Sequence, residues 1–149
     1  MEGVNYVNAP VVAKSRAVKI KEMKTGEGGD FTSLLMITVK GETGENTVQG
    51  TLFGKKEPRL IKVNNIYLEA DLRGHMLFVY NYDRPGVIAS IANVFFIRGI
   101  NIGGMHFGRE SVGGLAISLL DLDKEIEDNV IREIQSLPNI VTIKKIELP

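Results

Sequence analysis

The sequence predicts an α+β fold in two parts, a mostly antiparallel β domain over residues 1–74 and a βαββαβ domain over residues 75–149. Two observations predict this division. Before Gly74, short apolar runs are separated by turn residues, as in antiparallel strands. After Gly74, two segments carry apolar residues at helical spacing, and each lies between strand-like runs. Two helices on one face of a four-stranded antiparallel sheet form the ferredoxin-like arrangement.

The composition excludes several classes of function. The chain has 149 residues and no net charge, so nothing favours non-specific binding to nucleic acid or to a membrane surface. The absence of cysteine excludes disulfides and thiolate metal sites, and it is compatible with a cytoplasmic location. No apolar run approaches the roughly 20 residues of a membrane-spanning helix. No signal-peptide pattern follows Met1.

The first part is predicted to contain one short helix among strands. Asn8 to Arg16 forms the helix, with Pro10 in its first turn. Thr25 to Asp30 is predicted to be a hairpin loop, because it lacks the spacing of a phosphate-binding loop and no helix follows. Asn64-Asn65 suits a two-residue turn, since asparagine tolerates positive φ. The predicted strands are Val4–Val7, Val18–Lys24, Phe31–Lys40, Asn46–Phe53, Arg59–Val63 and Ile66–Leu72.

The second part begins with a strand at His75, and its apolar spacing sets the remaining elements. Val87, Ile91, Val94 and Phe95 share one helical face, and Gly99 stands where a helix commonly ends. The strands Asn101–Arg109 and Leu115–Leu122 follow, the first at a sheet edge, and then a helix capped by Asp123 and ended by Pro138-Asn139. The last strand is Ile140–Leu148, with a bulge predicted near Lys144-Lys145.

The turn between the first strand and the first helix of this part is the strongest candidate site. Asp83 is predicted to cap the helix, Pro85 presets its entry, and Gly86 permits close approach of a ligand. An open helix N-terminus attracts anions such as carboxylates. Asn101, a polar residue between two isoleucines, is predicted to complete the site. Taken singly, Asp83 and Asn101 are better explained as a cap and a turn residue, and it is their combination that favours a site.

A second candidate is a cationic cluster in the first part. Arg59 is predicted to clamp a carboxylate or phosphate, with Lys55 and Lys62 nearby. A solvated loop is the simpler interpretation of these residues. No nucleophile beside a histidine, no metal-ligand cluster and no dinucleotide fingerprint occurs in the sequence.

The second part resembles an ACT domain, the amino-acid-sensing module of many biosynthetic enzymes. The resemblance rests on Asn81-Tyr82-Asp83-Arg84-Pro85-Gly86 followed by Gly99-Ile100-Asn101-Ile102. It implies that Asn81, Asp83, Arg84, Pro85, Gly86, Val87 and Asn101 contact an amino acid. It also implies that this site lies between the ACT domains of two subunits, so the chain is expected to form a homodimer or a higher homo-oligomer.

The first part resembles the intervening domain of long-form D-3-phosphoglycerate dehydrogenase, which in that family precedes an ACT domain. The resemblance rests on Val7-Asn8-Ala9-Pro10, Gly50-Thr51-Leu52-Phe53-Gly54 and Glu57-Pro58-Arg59. It implies L-serine as the ligand and only a partial intervening domain, with some apolar surface left uncovered. The NAD-binding and substrate domains of that oxidoreductase are absent from this sequence. The chain is therefore expected to bind no cofactor and to be inactive alone.

Three other functions fit the sequence less well. The regulatory portion of an iron-sulfur L-serine dehydratase pairs similar domains, but we expect a Gly-Pro-Ser-Ser-Ser-His-Thr segment there, which this chain lacks. A dimerisation module without a ligand is the second alternative. An RNA-recognition module has the same topology, but it needs stacking aromatic residues on its third strand, and Leu115–Leu120 has none.

Overall fold

The structure, a computed structural model, describes residues 3–5, 7–24, 33–42, 44–54 and 56–148. Over these residues it contains three helices and two four-stranded antiparallel sheets. The elements are α1 (Ala9–Ser15), β1 (Leu34–Gly41), β2 (Gly44–Phe53), β3 (Glu57–Val63), β4 (Ile66–Asp71), β5 (His75–Tyr82), α2 (Val87–Ile97), β6 (Ile102–Arg109), β7 (Leu115–Leu122), α3 (Asp128–Gln135) and β8 (Ile140–Glu147).

The first sheet is a meander in the order β1-β2-β3-β4. Asn64 has a φ of 52° in the tight turn between β3 and β4, as its residue type predicts. Its side-chain oxygen accepts a hydrogen bond from the Thr47 amide at 2.9 Å, which ties this turn to β2. The predicted α1 helix is also present, with Asn8 at its N-cap position.

Two predicted strands in the first part are wrong. The described residues of Val4–Val7 form a turn, in which the Asn5 side chain accepts from the amides of Val7 and Asn8 at 2.9 and 3.0 Å. Such asparagine-centred turns compete with extended structure. Val18–Lys24 pairs with no strand of the described chain, so its alternating pattern lacks the neighbour that a strand requires. The predicted loop Thr25–Asp30 lies outside the described residues.

The second sheet has the order β6-β7-β5-β8, and both α2 and α3 pack against one of its faces. This is the predicted βαββαβ arrangement, with β6 at the sheet edge. The core between helices and sheet includes Leu77 and Val79 from β5, Ile91 and Phe95 from α2, and Ile134 from α3. All five side chains are buried, which confirms the helical faces predicted from apolar spacing.

The opposite face of the second sheet is covered by the first sheet. Met76, Ile117 and Leu119 from β5 and β7 pack in one cluster with apolar residues of β3 and β4. The contributing residues of the first sheet are Leu60, Ile66, Leu68 and Ala70. The second sheet is therefore apolar on both faces, which explains why β7 lacks a clear alternation of apolar and polar residues.

The approach of the two sheets is closest where β4 crosses β6. A β-carbon added to Gly108 would stand 2.2 Å from the carbonyl oxygen of Tyr67 and 2.8 Å from a methyl carbon of Ile66. Only glycine fits there, because the first of these neighbours is backbone and cannot rotate away. Gly108 thus sets how near β4 can lie to the second sheet.

The first two strands of the first sheet, β1 and β2, carry exposed apolar residues, as the resemblance to a partial domain predicts. Every residue of β1 is exposed. Leu35 and Val39 each leave 64% of their surface in solvent, and Phe53 on β2 leaves 61%. No helix in the described part of the chain has the length and apolar character needed to cross a membrane.

Two predicted features of the second part are also wrong. The α3 helix begins at Asp128 with Glu127 at its N-cap position, and Asp123 instead accepts a hydrogen bond from the Asn101 side chain at 2.8 Å. The irregularity of β8 lies opposite Tyr80 and Asn81, not at Lys144-Lys145. Lys145 pairs in regular register with Leu77 of β5, and its ammonium lies 2.5 Å from Glu125 and 2.9 Å from Glu147.

We expect Gly108→Ala to destabilise the chain, because the new methyl group meets the Tyr67 carbonyl at a distance that only backbone movement relieves. Overpacking of this kind costs about 1–3 kcal/mol in the free energy of unfolding. Urea denaturation of wild type and variant measures it. Gly41→Ala is the matched control, since a β-carbon there meets no atom within 4 Å. An equal loss of unfolding free energy in both variants would show that the close approach at Gly108 does not contribute to the cost.

Candidate functional site

The turn between β5 and α2 is held in place by the backbone of two neighbouring segments. The Tyr82 amide donates to the Asn139 carbonyl at 2.9 Å, and the Asp83 amide donates to the Gly114 carbonyl at 2.8 Å. Gly86 then occupies the N-cap position of α2 with a φ of 91°, a conformation that residues with a β-carbon rarely adopt. These constraints fix where β5 ends and α2 begins.

Asp83 does not cap α2, contrary to the sequence prediction. Its Oδ2 atom accepts from Arg109 Nη1 at 2.9 Å and from the Gly113 amide at 3.3 Å. The carboxylate therefore points toward the end of β6 and the loop that follows it, because a guanidinium is a stronger partner than the first helical amides. Within the described residues, no hydrogen bond reaches its Oδ1 atom.

The surroundings of Asp83 favour its charged form. The hydrogen bond from the Arg109 guanidinium and the Gly113 amide hold the pKa of the Asp83 carboxyl below its ordinary value. The nearby charge of Arg84 acts in the same direction. Asp83 is thus an anion at neutral pH, with a side chain that is only 20% exposed.

The N-terminus of α2 is partly open. No side chain of the described residues caps it. The Val87 amide already donates to the Arg84 carbonyl at 3.3 Å, so Val87 is a weaker candidate anion donor than the sequence predicts. The remaining amides of the first turn lack intrahelical acceptors, as at any helix start. Pro85 contributes none, because its nitrogen carries no hydrogen.

Asn81 is buried beside this turn and bonds to the chain itself. Its side-chain nitrogen donates to the Tyr82 carbonyl at 2.9 Å, and its oxygen accepts from the Ser118 hydroxyl at 3.3 Å. Only 1% of Asn81 is exposed. In this structure it therefore positions the end of β5, and its predicted contact with a ligand stays a prediction.

Asn101 lies at the opposite end of the sheet from Asp83. It precedes Ile102, which pairs with Leu122, and Leu122 pairs in turn with His75 at the start of β5. Asp83 follows the other end of that strand, about 26 Å away at roughly 3.3 Å per residue. Within one chain the turn and Asn101 do not meet, contrary to a single-chain interpretation of the predicted site.

Two residues near Asp83 were missed by the sequence analysis, namely Arg109 and Gly113. Arg109 lies across β7 from Asn81, since both pair with Ala116. The strand order and register were needed to bring it there. The predicted topology did contain a signal, because the loop between β6 and β7 lies at the same end of the sheet as the end of β5. Arg109 is a cation at the start of that loop.

The predicted anion clamp in the first part is occupied by the chain's own carboxylates. Arg59 forms ion pairs with Glu57 at 3.1 Å and with Asp71 on β4. Lys62 donates to the Tyr67 hydroxyl at 3.2 Å and lies over its ring. Lys55 lies outside the described residues. Arg59 is therefore paired within the chain, and its predicted contact with an external anion stays a prediction.

Among the described residues, no group of three or more histidine, aspartate or glutamate side chains is arranged to hold a metal ion. The site built around Asp83 is instead one of opposite charges, a carboxylate with two guanidinium groups near the start of a helix. Such an arrangement suits a small molecule that carries both charges.

Two family models match the chain in sequence. Residues 1–64 match the D-3-phosphoglycerate dehydrogenase intervening domain, and residues 75–139 match the ACT domain. A D-3-phosphoglycerate dehydrogenase of Bacillus subtilis is 31% identical over 98% of this chain and 28% of its own length. The enzyme of the same name from Synechocystis is 33% identical over 93% of this chain and 25% of its own length.

A relative with a different name covers less of the chain. The probable L-serine dehydratase beta chain of Bacillus subtilis is 32% identical over 74% of this chain and 50% of its own length. The chain spans about a quarter of the length of the dehydrogenases that it matches. The similarity to the dehydrogenases therefore covers nearly all of this chain but only a part of each relative.

We expect Arg109→Gln to raise the pKa of Asp83, because the hydrogen bond from Arg109 is the largest cause that lowers it. With a folded-state pKa below the unfolded value of about 3.9, the pair stabilises the fold above that pH. Its contribution disappears as the pH falls through the folded-state pKa. Carbon-detected NMR titration of the carboxyl measures the pKa directly.

Arg98→Gln is the matched control for this titration. It removes a guanidinium that pairs with Glu133 at 2.7 Å, at the far end of α2. We expect it to leave the pKa of Asp83 unchanged. An Asp83 pKa that is equal in wild type and Arg109→Gln would contradict the ion pair.

Proposed function

Since the chain belongs to the C-terminal regulatory region of the long-form D-3-phosphoglycerate dehydrogenases, we propose that it binds a small amino acid between two copies of its ACT domain. The observation that carries this proposal is Asp83, an anion held beside the open N-terminus of α2. Its carboxylate is a partner for an ammonium, and the helix start favours a carboxylate. L-serine is the proposed ligand, because the resemblance of the sequence to the long-form D-3-phosphoglycerate dehydrogenases implies that amino acid.

The separation of Asp83 and Asn101 favours a site made from two chains. If two β6 strands pair antiparallel about a twofold axis, the Asn101 end of one strand lies beside the Arg109 end of the other. Asp83 of one subunit then faces Asn101 of its partner. This arrangement brings together residues that a single chain keeps at opposite ends of its sheet.

The edge strand is suited to such pairing. Its unpaired backbone groups are free to add a strand across the twofold axis. Met105 and Phe107 on β6 are 44% and 43% exposed, and Phe96 and Ile97 on α2 are 82% and 64% exposed. Burial of these apolar side chains would stabilise the dimer, since each removes apolar area from water.

The proposed role in a whole enzyme is regulation. A bound amino acid changes the packing between two ACT domains, and the first sheet rests directly on the ACT sheet through Gly108. Such a change alters activity only if the ligand binds two states of the enzyme with different affinity. The catalytic domains that would respond, with their NAD, lie outside this sequence, and a cytoplasmic location goes with this proposal.

Two alternatives remain distinguishable by experiment. A serine dehydratase subunit is favoured by one relative, and the sequence upstream in the complete open reading frame would identify it by its catalytic residues. A dimerisation module without a ligand is the second alternative. Calorimetry with L-serine separates that module from a sensor.

We expect L-serine to stabilise the chain. A ligand at one hundred times its dissociation constant adds about 2.7 kcal/mol to the free energy of unfolding. The melting temperature then rises by several degrees, which differential scanning fluorimetry measures. Asp83→Ala should weaken binding about tenfold or more, because a charged hydrogen bond is lost. Asn101→Ala should weaken it less, and D-serine should bind poorly because its groups cannot all reach their partners.

Glu133→Ala and Asn129→Ala serve as matched controls for these variants. Glu133 pairs with Arg98 at 2.7 Å, and Asn129 bonds to Glu127 at 2.9 Å, both away from the turn. The melting temperature of each variant without ligand reveals any general loss of stability. Equal shifts for L-serine, D-serine and glycine, or shifts unchanged by Asp83→Ala, would mean that the site is misplaced.

We expect the chain to self-associate and to share each site between two subunits. Sedimentation at tens of micromolar protein measures the first, and a monomer alone would contradict it. Mixing Asp83→Ala with Asn101→Leu after unfolding and refolding tests the second. Random pairing gives about half mixed dimers with one intact site each, so roughly a quarter of the sites recover full affinity. No recovery would place both residues in one chain's site.

A further inference from the structure

Two guanidinium groups lie near Asp83. Arg109 Nη1 lies 2.9 Å from its Oδ2 atom. The Arg84 Nη1 atom lies 3.2 Å from where a β-carbon on Gly113 would stand, and the Gly113 amide donates to the same Oδ2. One carboxylate with two guanidinium groups leaves a surplus positive charge. Glu110, the acidic neighbour of Arg109, is exposed on the loop.

Arg109 has donors to spare. A guanidinium carries five N–H groups, and in the described part of the chain only Nη1 of Arg109 is seen to bond, to Asp83. Half of its side chain is exposed, so its outer edge faces solvent at the end of β6. The Oδ1 atom of Asp83 is also without a donor among the described residues. Both members of the ion pair therefore keep hydrogen-bonding positions that no described residue occupies.

We propose that Arg109 binds the carboxylate of the amino acid whose ammonium Asp83 accepts. This inference rests on the proposed function and adds to it the residue that recognises the ligand's negative charge. The ammonium and the carboxylate of an amino acid are attached to the same carbon. The ligand can therefore bind beside the ion pair, with its ammonium on Asp83 and its carboxylate on Arg109. The planar fork of a guanidinium matches a carboxylate in two parallel hydrogen bonds.

Two features favour recognition over competition between Arg109 and the ligand. Both donors to Asp83 converge on Oδ2, so an ammonium reaches Oδ1 without displacing Arg109. A carboxylate accepts about four hydrogen bonds, which leaves room for all three donors. The N-terminus of α2 also offers few free amides to the ligand's carboxylate, because the Val87 amide already donates to the Arg84 carbonyl.

The test compares L-serine with L-serinamide, which keeps the ammonium and hydroxyl but replaces the carboxylate by a neutral amide. Calorimetry measures the ratio of their dissociation constants in the whole chain. We expect wild type to prefer L-serine about tenfold or more, the effect of one charged hydrogen bond. Arg109→Gln should abolish that preference by weakening L-serine alone. Arg109→Lys should restore part of it, since the charge returns without the fork.

Arg98→Gln is the matched control, and it should leave the ratio as in wild type. Equal weakening of both ligands by Arg109→Gln would mean that Arg109 only positions Asp83, and this would overturn the inference. Tighter binding of L-serine by that variant would mean competition and would also overturn it. If wild type binds neither ligand, the proposed function itself fails. If wild type binds both with equal affinity, the proposed function stands and the role of Arg109 falls.

Discussion

The packing of the first sheet onto the helix-free face of the ACT sheet is the constraint on which the rest of the structure depends. β3 and β4 bury Met76, Ile117 and Leu119, which would otherwise face water. The contact leaves β6 as an edge, because β4 crosses over its face at Gly108 and does not extend its ladder. The packing of the two sheets therefore has two effects. It supports one face of the ACT sheet, and it leaves β6 free at the edge for the proposed dimer.

The Asp83–Arg109 pair transfers that constraint to the candidate site. Arg109 directly follows Gly108, the residue at which the two sheets touch. Its guanidinium in turn fixes the Asp83 carboxylate at the end of β5. The candidate site is thus joined to the first sheet by a short path of backbone and one ion pair. The Gly108 contact and the ion pair thus connect the candidate site physically to the first sheet. A bound ligand that acts on the first sheet would have to disturb this connection.

Local signals predicted what local interactions decide. Asn64 adopts the positive φ expected of its turn, Gly99 ends α2, and the apolar spacing of α2 and α3 locates their buried faces. The sequence failed where a distant partner decides. Asp83 resembles a helix cap until β6 brings Arg109 to it, and the ion pair of Arg59 with Asp71 becomes visible only when β4 lies beside β3. Val18–Lys24 alternates like a strand but has no neighbour to pair with in the described chain.

The distance between Asp83 and Asn101 has a consequence for how binding will be measured. A single small molecule cannot span about 26 Å, so a ligand that touches both residues must bridge two chains. Such a ligand acts as a cross-link, and its apparent affinity depends on how concentrated the protein is. In the proposed dimer, dilution that separates the subunits also removes the sites, and ligand added to a dilute sample drives the subunits together. For such a shared site, titrations made at different protein concentrations yield different dissociation constants.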